Sequence, residues 1–175
     1  MVNSMAAADK PFYTSLWGLP GILALLVLAL DHLTKWLVRL AWPVPGEGEL
    51  LIIPGFFRLV HWRNLGAAWG ILAGRTWLLA LFSLLVSLAI IIFFRKFTEG
   101  KARFAIPAGV LLGGILGNFI DRAFFPEGVV DFLSFLRWPA FNVADSAITC
   151  SIITLCIFQV LRKDKPSEVG KTGDE

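Results

Sequence analysis

The sequence predicts an α-helical integral membrane protein, four transmembrane helices with a small extracytoplasmic β-sheet, and three observations carry that reading. Of 175 residues, 57% are hydrophobic and only 17% are charged, against roughly 25% charged in a soluble domain, and the mean hydropathy is +0.72. Four apolar stretches, at about 18–40, 77–94, 104–120 and 143–161, approach the roughly 17 to 25 residues that a membrane-crossing helix needs. Between the first two lies a segment punctuated by Pro and Gly with the branched and aromatic bias of short strands. The length suits one domain, 1–175, with several spans rather than an anchor carrying a separate soluble enzyme.

The first span starts near Trp17 and continues past Asp31 with no Ala-x-Ala-like cleavage site, so it reads as retained rather than as a secretory signal. Asp31 and Lys35 stand at i and i+4 on one helical face and can pair. An ion pair that locks helix packing, or a Lys that snorkels to the surface, accounts for them as well as a functional site does. In the next segment Pro43, Pro45, Gly46 and Gly48 mark a turn. Residues 50–53 and 56–62, separated by Pro54-Gly55, then read as strands of a sheet on the membrane surface. Trp42, Trp62, Trp69, Trp77 and Trp138 fall at predicted interfaces, where an amphipathic indole is favoured.

A short turn with Arg95, Lys96, Lys101 and Arg103 joins spans two and three, and Arg162, Lys163 and Lys165 follow span four. The positive-inside rule makes both cytoplasmic. Four spans then place the N terminus inside as well and leave 41–76 and 121–141 on the outer face. The end of the chain, 163–175, is short and polar and reads as a disordered tail. No internal repeat is evident.

Net charge is +3 and the sequence pI about 9.1, but the basic residues flank apolar runs, as membrane-bordering charges do. Nucleic-acid binding is therefore excluded as the main reading. Cys150 and Cys156 lie in the last apolar run on different helical faces, which disfavours a disulfide, and two Cys with two His offer no metal-ligand spacing. No metal and no cofactor are expected.

The polar residues that remain are concentrated at the outer segments. Asp131 and Asp145 sit at the edges of Val-Val-Asp-Phe and Phe-Asn-Val-Ala-Asp in a chain that is mostly hydrocarbon. An ionisable group at membrane depth costs a few kcal/mol or more by insertion scales, which makes a cluster of them a functional-site hypothesis. Two carboxyls that meet in space are the parts of an acid/base pair that activates water. Asn142 and Asp145 also have a local explanation, since an N-cap Asn with an acid three positions later resembles a capping box. Asp131, between Val130 and Phe132, has no comparable local task. At the end of span three, Gly113 and Gly117 have the small-xxx-small spacing of a close helix contact, and Asn118 shares a face with Asp121 and Arg122. The run Arg63-Asn64-Leu65-Gly66-Ala67-Ala68-Trp69-Gly70 offers an amide and a permissive glycine of the kind an extended peptide ligand needs, although a loop turning back to the membrane looks the same. Three aspartates lie at the outer ends of spans three and four, and the residues alone leave open which two would act together.

Together these segments closely resemble the lipoprotein signal peptidase (signal peptidase II) family of bacterial membrane aspartic proteases. The resemblance runs through Asp31-His32-Leu33-Thr34-Lys35, the patch from Asn64 to Gly70, Gly113 to Arg122, Val129-Val130-Asp131-Phe132 and Phe141-Asn142-Val143-Ala144-Asp145-Ser146, in the family's order and over most of the chain. His32 stands where Gln is usual, and the stretch 133–139 is short. The resemblance implies Asp131 and Asp145 as the catalytic pair, with Asn64, Gly66, Asn118, Arg122, Asn142 and Ala144 around the substrate. Asp31, Lys35 and Asp121 would support the site, Asp121 as a structural partner of Arg122 or Lys35. It further implies a bacterial inner-membrane location with both termini cytoplasmic and the site near the outer face. The partners would be membrane lipid and a prolipoprotein already carrying diacylglycerol, cleaved on the amino side of the modified cysteine by a monomeric enzyme without a covalent acyl intermediate. Ser146 adjoins Asp145, but neither His32 nor His61 is in a motif that suggests a serine triad. Two other classes compete: a small ion-coupled carrier binding a proton or cation at Asp31, Lys35 and Asp145, and a non-catalytic membrane assembly factor whose polar residues fix helix contacts.

Overall fold

A computed structural model describes residues 18–67 and 70–161. The element order is α1 (Leu19–Ala41), β1 (Glu49–Ile53), β2 (Phe57–Asn64), α2 (Thr76–Ile92), α3 (Phe94–Thr98), α4 (Ala102–Phe124), β3 (Val129–Phe135) and α5 (Val143–Val160). Trp17 and Trp69, Ala68, the basic residues Arg162, Lys163 and Lys165, and the expected tail 163–175 lie outside the described residues.

α4 is the central helix. Its buried positions include Ala105, Ala108, Gly113, Gly114, Gly117, Asn118 and Asp121, whereas α1 and α5 bury a narrow stripe each and expose Leu25, Leu30, Trp36, Ile153 and Val160. That pattern is the one expected of a bundle whose outer faces meet hydrocarbon rather than water. Small residues let the neighbours approach: a Cβ added at Gly114 would lie 2.6 Å from the Ala144 carbonyl oxygen, and one at Gly117 would lie 2.7 Å from Asp31 Oδ2. The Gly113 and Gly117 spacing thus admits α1, and specifically its buried carboxylate, against α4.

α1, α4 and α5 are long and apolar enough to cross a membrane; α2, at 17 residues, is shorter. The second apolar stretch, expected over 77–94, ends at Ile92. The helix breaks at Phe93, and a five-residue α3 carries Arg95 and Lys96 to a left-handed turn at Glu99 and Gly100. The third runs beyond the expected 104–120, to Phe124, and so takes Asp121 and Arg122 into its last turns. The first and fourth agree with expectation to within a residue.

The sheet is antiparallel in the order β1-β2-β3. Its first two strands arise from the segments read as strands; the third, β3, comes from a stretch read only as an outer segment. β3 pairs with β2 in the register Leu59↔Leu133, Trp62↔Asp131 and Asn64↔Val129, with an irregularity between Leu59 and Trp62. There β2 inserts an extra residue, and the successive residues Val60 and His61 are both buried, which a regular two-faced strand does not allow. Along β3 the faces alternate: Val130 and Phe132 join Val38 of α1 in an apolar cluster, and Asp131 points the other way. The sheet is thereby fastened to the end of α1, with the acid on its far face.

Candidate active site

The site is built where α4 ends, α5 begins and β2 and β3 cross above them. A cleft of about 910 Å³ opens there, bordered by Asn64 and Gly66 on the loop after β2, Asn118 and Arg122 of α4, Asp131 of β3 and Asp145 of α5. That volume is within the range typical of ligand sites.

Asn142 organises the two acids. Its Oδ1 accepts the Asp145 N–H at 2.9 Å, and Asp145 Oδ2 accepts the Asn142 N–H at 3.3 Å, so the capping box is complete. The remaining donor, Asn142 Nδ2, reaches Asp131 Oδ1 at 2.8 Å. Asn64 Nδ2 donates to the other oxygen of Asp131 at 3.0 Å, and Asn64 Oδ1 accepts the Gly66 N–H at 2.9 Å. Each oxygen of Asp131 therefore has an amide donor. Burial, followed by the charge of Asp145, pushes the Asp131 carboxyl up from 3.8 to about 7, against the pull of Asn64, Asn142 and Lys35.

Asp145 Oδ1 accepts Asn118 Nδ2 at 2.6 Å. The orientation of this amide is fixed from behind, because Asn118 Oδ1 accepts Lys35 Nζ at 3.2 Å and Asn142 Nδ2 at 3.3 Å. The end of Asn118 that faces Asp145 is thus a donor, which suits a carboxylate.

Beneath the cleft is a fully buried charge cluster. Lys35 Nζ lies 2.6 Å from Asp31 Oδ2 and 2.5 Å from Asp121 Oδ2, and all three side chains have no exposure. Asp31 Oδ1 accepts the Ala144 N–H at 2.9 Å, tying α1 to the first turn of α5. Of the two partners expected for Asp121, the nearer is Lys35; Arg39 Nη2 stands 3.6 Å from its other oxygen. Arg122 instead reaches Gly66 O at 3.3 Å and its own helix at Asn118 O, 3.5 Å away.

Asn64, Gly66, Asn118 and Arg122, all expected beside the substrate, border the cleft. Asn142 and Ala144 do not: both are fully buried, Asn142 between the acids and Ala144 against Gly117. The reason is local, since an N-cap side chain folds back on its helix and α5 must approach α4 closely at that turn. Trp62 and Trp138, read as interface anchors, border the cleft mouth. Residues 62 and 64 share a strand face, so placing Asn64 in the site already placed Trp62 beside it. Arg39, one turn beyond Lys35 on α1, was overlooked although the i, i+4 series from Asp31 leads to it. His61 is buried at the bulge with Nδ1 2.6 Å from the Trp42 carbonyl oxygen. Burial, then Arg63 and Arg39, lower its pKa against that carbonyl's pull, and it takes no part in the cleft.

The family described as signal peptidase (SPase) II matches residues 23–161. The lipoprotein signal peptidase of Bacillus subtilis (strain 168) is 39% identical over 152 residues, 82% of this chain and 94% of the relative. That of Listeria monocytogenes serotype 4a (strain HCC23) is 39% identical over 141 residues, 78% and 90% of the two chains. A bacterial membrane enzyme solved by the in meso method at 2.3 Å resolution superposes with a TM-score of 0.74 at 30% identity, covering 86% of this chain and 94% of its own. A second, at 1.9 Å, gives 0.71 at 32% identity, with 83% and 94% covered. These likenesses do not favour the carrier or the assembly factor.

Proposed function

The chain belongs to the signal peptidase II family, and we propose that it removes signal peptides from lipoproteins as an aspartic endopeptidase, with Asp131 and Asp145 as its catalytic pair. The observation that carries the aspartic assignment is the Asn142 bridge: one amide side chain holds Asp131 through Nδ2 and caps the helix turn of Asp145 through Oδ1. Two acids held by one residue in one cleft can divide acid and base work between them.

Asp145 serves as the base and Asp131 as the acid. Asp145 takes N–H donors on both oxygens, from Asn118 and from the Asn142 backbone, at the positive end of α5. Asp131, pushed up to about 7, holds a proton near neutrality. Water loses a proton to Asp145 as its oxygen attacks the scissile carbonyl carbon, and Asp131 gives its proton to the carbonyl oxygen. The tetrahedral intermediate collapses when the proton on Asp145 passes to the leaving nitrogen and a hydroxyl proton returns to Asp131. The C–N bond breaks, releasing a carboxyl on the signal peptide and a free amine on the lipoprotein. Asn64, Gly66, Asn118 and Arg122 border the peptide. Asn142 and Ala144 position the pair from beneath, and Asp31, Lys35 and Asp121 hold α1, α4 and α5 together below them.

The substrate is a diacylglyceryl-modified prolipoprotein cut on the amino side of its modified cysteine. Acyl chains can stay in hydrocarbon beside the exposed faces of α1 and α5 while the peptide reaches polar groups at the helix ends. α2 supplies the fourth span, shortened to 17 residues and compensated by tilt or local thinning. The basic turn at α3 faces the bacterial cytoplasm with both termini, the sheet and cleft lie at the outer face of the inner membrane, and the protein acts as a monomer. The test presents purified protein in lipid with modified and unmodified precursors and reads the new N terminus by mass spectrometry. Only the modified precursor should be cut, before its cysteine; cleavage elsewhere, or equal cleavage of both, contradicts the reading.

A further inference from the structure

The chain returning from β3 to α5 offers the cleft a hydrogen-bonding edge that the chemistry above leaves unused. Phe141 forms an antiparallel bridge with Leu133: its N–H donates to the Leu133 carbonyl at 3.0 Å, and its own carbonyl accepts the Leu133 N–H at 2.8 Å. In extended backbone, a residue that exchanges both bonds with one neighbour leaves the residues before and after it facing the opposite side. Asn142, the residue after, is extended (φ −128°, ψ −175°) and sends its N–H to Asp145 Oδ2. The residue before is Ala140, whose N–H and C=O therefore lie along the same edge as Asp145. Ala140 borders the cleft, and neither group has a partner among the described residues. Its neighbours offer nothing comparable, because the Trp138 N–H is bonded to Phe135 O at 2.8 Å and Pro139 has no N–H.

We infer that Ala140 holds the extended main chain of the substrate, exchanging N–H···O=C bonds with one residue beside the scissile peptide. The inference rests on the peptidase reading. A peptide entering a cleft at the membrane surface brings its own N–H and C=O groups away from water, where leaving them unpaired is costly. A main-chain rung answers that need for any sequence, and side-chain pockets are left to select. This makes Ala140 a binding residue that acts through its backbone, so its role is invisible to ordinary side-chain scanning.

The test uses the full chain in lipid and a lipid-modified synthetic precursor in which one main-chain amide at a time is replaced by an (E)-alkene, which removes its C=O acceptor. In the wild type, this replacement at one position near the scissile bond should lower kcat/KM about tenfold, the size of one net hydrogen bond. Ala140→Pro, which deletes the N–H that faces this carbonyl, should itself lose about tenfold, mainly through KM, and should reduce the penalty of that same replacement to less than about twofold. Equal penalties for the carbonyl replacement in wild type and Ala140→Pro overturn the inference while the peptidase reading stands. Should Ala140→Pro fail to fold, hydrogen exchange on the wild type decides: an uncleavable analogue slows exchange at the Ala140 amide if the rung is used, and unchanged exchange overturns it. Failure of the wild type to cut the unsubstituted peptide overturns both readings.

Discussion

Asn142 Nδ2 donates to Asp131 Oδ1 at 2.8 Å while Asn142 Oδ1 caps the helix that carries Asp145 at 2.9 Å. A helix cap and a brace for Asp131 are therefore the same side chain, and the two explanations available for the Asn142 and Asp145 pair do not compete. Asn142→Ala should lose about 1 kcal/mol from the missing cap and, by freeing Asp131 from its place, about a hundredfold in kcat. Asn142→Asp keeps an N-cap but places a third carboxyl between two others, so its activity loss should be at least as large with a smaller stability cost. A variant with neither cap nor amide that retains full kcat would separate Asn142 from the chemistry.

The buried cluster gives a second expectation. Removing one partner from a buried ion pair costs about 3–5 kcal/mol because the other charge is left uncompensated. Lys35→Met strands both Asp31 and Asp121, so it should lower the melting temperature in detergent more than Asp31→Asn or Asp121→Asn does. The Lys35→Met and Asp121→Asn effects should also be non-additive, since both act on the 2.5 Å contact. Equal, additive losses would show that the three residues do not act as one unit.

Gly117 sets two effects of opposite sign against each other. Alanine improves helix propensity by about 1 kcal/mol over glycine, but its Cβ would lie 2.7 Å from Asp31 Oδ2 and 3.3 Å from Ala144 Cβ. Overpacking of that kind costs about 1–3 kcal/mol, and here the near atom belongs to a carboxylate held by Lys35 and the Ala144 N–H. Packing should win, giving a net loss of stability in Gly117→Ala; a higher melting temperature would show that Asp31 yields freely.

The titration of Asp131 has a definite sign. Its folded value, about 7, lies above the ordinary 3.8, so the folded protein keeps a proton that the unfolded chain releases. The associated stability is complete below about 3.8 and is lost as pH rises through about 7. Melting temperature should therefore fall with pH over this window more steeply in wild type than in Asp131→Asn. kcat/KM should fall as pH rises past about 7, because the proton for the carbonyl oxygen is gone. An activity that keeps rising through pH 8 would assign the proton elsewhere.

What the sequence made legible follows from the range of the forces involved. Helices α1, α4 and α5 were readable because apolar runs and their basic borders are local signals, and the cap at Asn142 was readable for the same reason. The i, i+4 spacing of Asp31 and Lys35 announced their pair, but not that Asp121 completes it from another helix. β3 was missed because its partner strand lies some way back along the chain and its acid interrupts the apolar pattern. Without β3, neither the burial of Asp131 nor its two amide donors could be foreseen. The burial of Asn142 and Ala144, expected beside the substrate, depends on how closely α5 packs on α4, which Gly114 and Gly117 permit but do not by themselves announce. That Trp62 borders the cleft follows from its i, i+2 relation to Asn64 on β2, a strand-face signal not drawn from the sequence.

The most direct test compares cleavage of a diacylglyceryl-modified precursor by Asp131→Asn, Asp145→Asn and Asp121→Asn, each checked for folding by its melting transition. The first two should be folded and inactive, and Asp121→Asn should be less stable yet cut at a rate close to wild type per folded molecule. Cleavage that persists in folded Asp131→Asn, or that disappears in folded Asp121→Asn, would contradict the assignment of the pair.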